Sequence, residues 1–267
     1  MLIQIKNVSA GYVKKYLVLK NINCNIKLGE FIGIIGKNGV GKSTFLKLIC
    51  CLIKPFSGTV LFRKRDIFTL SKDDLSRIIS FLPQQNSSDT FNNNFSVLEF
   101  IMLGRFPYYN KKILKIPSNI DFKIVKKITS MLFITDLLHR KMNTLSGGEK
   151  QKVLIAQVLV QETKVLIFDE PTSNLDIGNQ INILLLLKKI NKDLNKTIIV
   201  SIHDLNIASE FCNKLILLNN KTIYRYGVPR DIINYNNISS VFNIKNIIIK
   251  INHISNKPYI IIYKHNI

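Results

Sequence analysis

The sequence predicts an α/β fold, a mostly parallel sheet flanked by helices, and three observations carry that prediction. Short, nearly continuous apolar runs at Phe31–Ile35, 165–168 and Thr197–Ser201 read as strands buried on both faces. Helical periodicity follows the first run, with Phe45, Leu48, Ile49 and Leu52 on one face. A glycine-rich segment joins that strand to that helix, the context in which a loop can wrap an anion.

Taken in order, the chain starts with Met-Leu-Ile-Gln-Ile-Lys-Asn, which alternates like a strand. It has neither a basic start nor a small-residue cleavage site, so no leader peptide is expected. The first helix ends before Pro55, and Ser57-Gly58 reads as a turn into a strand over 59–62. Residues 86–144 lack buried-strand runs. They carry helical patterns at 97–103 and 122–133, punctuated by Pro107 and Pro117, with a short asparagine-rich tract at 92–94. Residues 215–218, Asn219-Asn220 and 221–226 read as a hairpin. From Val228 a polar helix-like stretch gives way to β-like segments. The expected organisation is an α/β core over 1–85 and 151–227, a helical insert over 86–150, and an extension over 228–267.

At 267 residues and 46% hydrophobic composition the chain can bury a substantial core, and disorder is excluded. No apolar run approaches the roughly 20 residues needed to span a bilayer. Lys and Arg exceed Asp and Glu by 38 to 17, a formal net charge of +21. Such a balance invites nucleic acid or an anionic membrane surface. The 44 Ile and 29 Asn share AT-rich codons with Lys, however, and the basic residues are spread rather than blocked. Compositional bias is the favoured source of the charge, a role toward a surface or partner stays open, and no specific nucleic acid is expected. Cys24, Cys50, Cys51 and Cys212 form no CxxC pair and read as small buried hydrophobes of a reducing compartment.

Chemistry concentrates in three motifs. Gly36-Lys37-Asn38-Gly39-Val40-Gly41-Lys42-Ser43-Thr44 fits GxxxxGK[ST] between a strand and a helix. Its glycines let backbone N–H groups curl around phosphate oxygens, Lys42 reaches the β and γ phosphates, and the Ser43 hydroxyl suits Mg²⁺. Val165-Leu166-Ile167-Phe168-Asp169-Glu170 is an apolar strand ending in two acids. A strand delivers Asp169 to the carboxyl edge of the sheet, where it suits Mg²⁺, while Glu170 suits polarising an attacking water. Leu145-Ser146-Gly147-Gly148-Glu149-Lys150-Gln151 reads, taken alone, as an N-cap and a flexible turn.

The three together resemble the ATP-binding cassette (ABC) ATPases over nearly the whole chain. Further elements fall in that family's order: Gln84 in Leu82-Pro83-Gln84, Ser173-Asn174-Leu175-Asp176 after the acids, and His203 after Thr197–Ser201. The resemblance implies a P-loop ATPase core with an N-terminal antiparallel β portion and a helical insert ending in the signature. It implies ATP and Mg²⁺ as ligands. Gln84 would sense the γ-phosphate and Mg²⁺. Ser146, Gly147 and Gly148 would bind the γ-phosphate of a nucleotide held by the opposite subunit, and Asp176 would line the subunit interface. His203 would contact the γ-phosphate and hold Glu170 and the water in line, and Tyr12 stands where the family stacks an aromatic ring on adenine. Lys150 and Gln157 stand where Arg is common in the family.

One phosphate loop and one signature per chain imply a homodimer with two sandwiched ATPs. The segment from Phe95 to Pro107, ending Gly104-Arg105-Phe106-Pro107, resembles the importer branch for iron-siderophore, haem and cobalamin, as does the tail from Phe242 to Ile260. That likeness implies integral-membrane permease partners met near residues 104–108, an external substrate-binding protein in the same system, and a peripheral place on the cytoplasmic face of the inner membrane. The alternative is a soluble cassette ATPase of iron–sulfur assembly or nucleic-acid metabolism.

Overall fold

A computed structural model of the chain describes residues 1–84, 94–109 and 116–263. Most of the asparagine-rich stretch after Gln84 and the last four residues of the tail lie outside the described residues. In chain order the first elements are β1 (Ile3–Ala10), β2 (Leu19–Ile26), β3 (Phe31–Ile35), α1 (Lys42–Ile49), β4 (Pro55–Phe62), β5 (Arg65–Asp66) and α2 (Lys72–Ser76). Next come β6 (Ile79–Leu82), α3 (Val97–Met102), α4 (Asn119–Met131), α5 (Gly147–Val160), β7 (Val165–Asp169) and α6 (Ile177–Asp193). The chain continues through β8 (Thr197–Ser201), α7 (Leu205–Phe211), β9 (Lys214–Asn219) and β10 (Thr222–Gly227). It closes with α8 (Pro229–Ile232), α9 (Tyr235–Phe242), β11 (Ile247–Ile251) and β12 (Pro258–Ile262). Two compact units result, Met1–Leu70 with Ile190–Ile267, and Ser71–Lys189.

In the first unit β2, β1, β4 and β5 form an antiparallel sheet in that order. A second sheet places β3 between β8 and β9, parallel to both, with β10 antiparallel to β9. Every residue of β3 and β8 is buried, which is why their sequences are continuous apolar runs without alternation. At the polar start of β8 the Thr197 hydroxyl accepts the Gly29 N–H at 2.9 Å. The β9–β10 hairpin turns through Asn220 and Lys221, both at positive φ (46° and 66°), the geometry whose twist matches paired strands.

Two local expectations are corrected. Phe45, Leu48 and Ile49 are fully buried on α1, but Leu52 is 60% exposed and lies outside the helix. Cys51 adopts φ +57°, the Leu52 N–H bonds back to the Lys47 carbonyl, and the Cys51 N–H bonds to Leu48. That left-handed C-terminal motif ends the helix before the apolar period repeats. Ser57-Gly58 is no turn either. It lies inside β4, where the pairing with β1 shifts register and Gly58 takes φ +79°. A Cβ there would sit 2.4 Å from the Lys6 and Asn7 carbonyl oxygens, so Gly58 is needed where it faces a bulge of β1, whose Asn7 and Val8 together oppose it.

In the second unit β6 runs parallel to β7, and α3, α4 and α5 pack on one another. The pattern at 97–103 is α3, continued as a 3₁₀ turn over Leu103–Tyr108 that contains Pro107. The pattern at 122–133 is α4, whose buried stripe is Asp121, Val125, Ile128 and Thr129. Phe122 and Phe133, by contrast, are exposed. Gln157 donates from Nε2 to the Phe100 carbonyl, linking α5 to α3. No helix among the described residues is long and apolar enough to cross a membrane. The four cysteines are free, and all but the half-buried Cys51 are buried. Burial pushes the Cys24 and Cys51 thiols up to about 12, which leaves them unreactive.

Candidate functional site

The phosphate loop belongs to the first unit and leaves the carboxyl end of β3, as its sequence context requires. Gly36 turns the chain at φ +148°, and a Cβ on it would meet the Leu218 carbonyl at 2.7 Å. Lys37, Asn38 and Gly39 are exposed, whereas Gly41 and Lys42 are buried. The Lys42 ammonium folds back over the loop, donating to the Gly36 carbonyl at 3.0 Å and to Lys37 at 3.3 Å. A positive charge is thereby held against the loop's backbone instead of swinging in water. Helix α1 starts at Gly41 without a side-chain cap, and the positive end of its dipole lies at the loop. Ser43 and Thr44 lie in that first turn. A cleft of about 370 Å³ flanks the loop, lined among others by Val18, Lys37, Asn38 and Lys221.

Tyr12 follows β1 and is 60% exposed. The Lys47 ammonium donates to its hydroxyl at 3.4 Å and sits 5.6 Å from its ring centre. The ring is thus tethered to α1 one turn beyond Ser43. His203 is exposed in the short link between β8 and α7, where the Ile202 N–H bonds to the Ile34 carbonyl of β3 and Asp204 caps α7.

The second unit carries the other residues. Asp169 ends β7 and is 3% exposed. Glu170 follows at φ +51°, an unusual backbone state for a residue of its type and the kind that clusters at functional sites. The Ser173 N–H and hydroxyl both donate to the Glu170 carbonyl, holding that turn. Gln84 Nε2 donates to Glu170 Oε2 at 2.6 Å, so the glutamine read as a sensor grips the acid read as a base.

Ser146 is the N-cap of α5 in a complete capping box. Its hydroxyl accepts the Glu149 N–H, and its own N–H donates to Glu149, holding that carboxyl below its usual range. Asp176 receives both the backbone N–H (2.9 Å) and the side-chain N–H (2.6 Å) of Asn179, which hold its carboxyl low as well. The Asn179 amide lies where a Cβ on Gly148 would come within 2.8 Å of Oδ1. Signature and Asp176 are therefore joined through Asn179. Sequence reasoning missed that residue, although Asp-x-x-Asn at a helix start is a capping spacing.

The expectation that residues 104–108 present a contact surface needs correcting at Arg105. Arg105 is 3% exposed. Its guanidinium pairs with Asp121 (2.8 Å) and Glu162 (2.9 Å), donates to the Val160 carbonyl (2.7 Å), and lies 4.1 Å from the Tyr108 ring centre. Its neighbours Leu103 and Phe106 are the side chains that face solvent.

A phosphate loop on an α/β sheet, with an acid pair ending a second strand, defines a nucleotide-binding ATPase of the P-loop class. The family model described as "ABC transporter" matches residues 19–173. The achromobactin transport ATP-binding protein CbrD of Dickeya dadantii is 34% identical over 90% of this chain and 87% of its own length. Among solved structures, a metal-chelate-type ABC transporter in an inward-facing conformation matches at TM-score 0.83 and 27% identity, covering 99% of this chain and 98% of that one. The dimeric cassette MJ0796, bound to ADP and Pi after hydrolysis, matches at TM-score 0.70 and 32% identity, covering 85% and 98%. The chain belongs to the ABC transporter family and is an ATPase whose hydrolysis of ATP drives transport.

Proposed function

We propose that this chain works as a homodimeric motor on the cytoplasmic face of a membrane, energising permease subunits that import iron-siderophore, haem or cobalamin. Relatives in achromobactin, petrobactin and cobalamin transport, each at least 31% identical over 85% or more of the chain, support the importer branch. The observation that carries the motor reading is the Lys42 ammonium held at 3.0 Å over the Gly36 carbonyl, a preformed cationic cradle for phosphate.

In this reading the loop from Gly36 to Thr44 binds the phosphates, Lys42 neutralises the β and γ oxygens, and Tyr12 stacks on the adenine. Glu170 orients and polarises the attacking water, and His203 holds the γ-phosphate in line. Ser146, Gly147 and Gly148 meet the γ-phosphate of the partner's nucleotide, with Asp176 at the interface. Oxygen donors of the kind Mg²⁺ prefers are supplied by the Ser43 hydroxyl, the Gln84 amide and the Asp169 carboxylate. No cluster of three or more His, Cys, Asp or Glu occurs among the described residues. When bound, Mg²⁺ offsets charge developing on the transferring phosphoryl group.

The insert over 86–150 is the permease-facing part of this reading, with Leu103 and Phe106 as its exposed apolar contacts and an external binding protein delivering cargo beyond the membrane. The test is co-purification from detergent-solubilised membranes with a tag on this chain. A polytopic permease at one-to-one stoichiometry is the expected partner, and its identity narrows the cargo. Recovery of soluble proteins or nucleic acid alone overturns the proposal.

A further inference from the structure

The β11–β12 hairpin is fastened to α7 along its whole length. At the start of the helix the Asn206 side chain pairs with strand β12 as a second strand would. Its Nδ2 donates to the Ile260 carbonyl at 3.1 Å, and its Oδ1 accepts the Ile260 N–H at 2.7 Å. In the middle, the buried Ser209 hydroxyl donates to the Pro258 carbonyl at 2.6 Å. At the end, the Lys257 ammonium donates to the carbonyls of Glu210 (2.6 Å) and Cys212 (3.1 Å), the last-turn acceptors a helix leaves open. A groove of about 210 Å³, walled by Leu205 on one side and Ile247 and Ile260 on the other, remains between the two. At the helix start the hydrogen bonds to the hairpin come from the Asn206 clamp.

The same end of α7 governs His203. Asp204 Oδ1 accepts the N–H groups of Asn206 (2.8 Å) and Ile207 (2.9 Å), so His203 is bracketed by the cap on one side and by the Ile202–Ile34 bond to β3 on the other. We infer that Asn206 is a positioning residue for hydrolysis: by clamping the first turn of α7 to β12, it fixes the Asp204 cap and with it the place of His203. The tail hairpin then acts as a strap that sets the reactive histidine. This inference rests on the proposed role of His203 in holding the γ-phosphate.

The experiment compares His203→Ala, Asn206→Ala and the double variant in the purified permease complex, reading steady-state kcat and KM for MgATP, single-turnover hydrolysis and thermal midpoint. Asn206 is exposed, so its truncation leaves the core intact. Asn206→Ala is expected to lower kcat about tenfold with KM within about twofold, because the phosphate loop keeps most of the nucleotide binding while the γ-phosphate loses its alignment. The double variant is expected to be no slower in single turnover than His203→Ala, since two residues acting through one contact are non-additive. A merely structural clamp would lower the midpoint and leave kcat per folded complex unchanged; that result, or rate losses that multiply, overturns the inference. A fully active His203→Ala overturns the His203 reading and the inference with it, whereas a fully active Asn206→Ala beside an inactive His203→Ala overturns the inference alone.

Discussion

Gln84 donates its side-chain N–H to the carboxylate of Glu170 at 2.6 Å, and Glu170 itself holds a left-handed backbone. Both features position a carboxylate oxygen, which is what a group that must orient water requires. Glu170→Gln keeps an acceptor for Gln84 and nearly the same volume while removing the negative charge. ATP binding should therefore persist within about threefold, while single-turnover hydrolysis falls by on the order of a hundredfold or more. Filter binding of ATP alongside phosphate release checks both halves, and turnover equal to wild type would rule Glu170 out as the base.

Lys42 makes a contrasting case, because it is expected to act on binding itself. Its ammonium is already desolvated and held over the Gly36 and Lys37 carbonyls, so an arriving phosphate finds the charge in place. Lys42→Ala removes a charge-assisted contact of about 1.5–3 kcal/mol, roughly ten- to a hundredfold in ATP affinity. Equilibrium titration with a fluorescent nucleotide reads this directly, and unchanged affinity contradicts the assigned role.

Sequence patterns revealed those parts of the molecule that rest on local rules. Strands β3, β7 and β8 could be read because burial on both faces removes alternation, and the phosphate loop because few residue types tolerate its backbone. The turn expected at Ser57-Gly58 fails because glycine marks a turn and a strand irregularity alike, and only the pairing with β1, whose Asn7 and Val8 bulge opposite Gly58, decides between them. Leu52 was misplaced because periodicity counts apolar residues without showing that Cys51 has already reversed the chain. The burial of Arg105 is not legible in the sequence, since no local pattern announces that Asp121 and Glu162, distant in sequence, neutralise it. The Gln84–Glu170 and Asn206–Ile260 contacts join residues 86 and 54 positions apart, beyond the reach of any window.

The Arg105–Asp121 pair predicts a stability that depends on acid. Burial pushes the Asp121 carboxyl up, but the Ser118 N–H and hydroxyl together with the Arg105 guanidinium outweigh it and hold the group below its usual range. The folded form thus binds its proton more weakly than the unfolded chain. The contribution is full above about pH 4, the ordinary aspartate value, and is lost as pH falls through the depressed one. Urea unfolding of wild type and Asp121→Asn should show a gap at neutral pH that narrows below about pH 4. Arg105→Ala, which leaves buried Asp121 without its cation, should cost about 3–5 kcal/mol at neutral pH. A pH-independent gap, or a loss under about 1 kcal/mol, the size of a surface pair, would show the network to be solvated.

The homodimer reading makes a prediction that neither half of the molecule makes alone. A Lys42→Ala protomer lacks a working phosphate loop but keeps its signature. A Ser146→Arg protomer has the opposite defect, a bulky cation standing where the hydroxyl caps α5. Each variant alone gives dimers in which both sites carry one lesion, so both preparations should be inactive. In a mixed dimer one site joins the intact loop of one protomer to the intact signature of the other, while the second site collects both lesions. At equal mixing roughly half the dimers are mixed and each has one good site of two, so about a quarter of wild-type ATPase activity should return. Phosphate release after unfolding-free subunit exchange, at fixed total protein, measures it. Activity no greater than the sum of the two parents would mean that both shared sites must fire or that the dimer is wrong, and single-turnover hydrolysis in the mixed dimer separates the two, because a cassette that completed its own chemistry would gain nothing from a partner's signature.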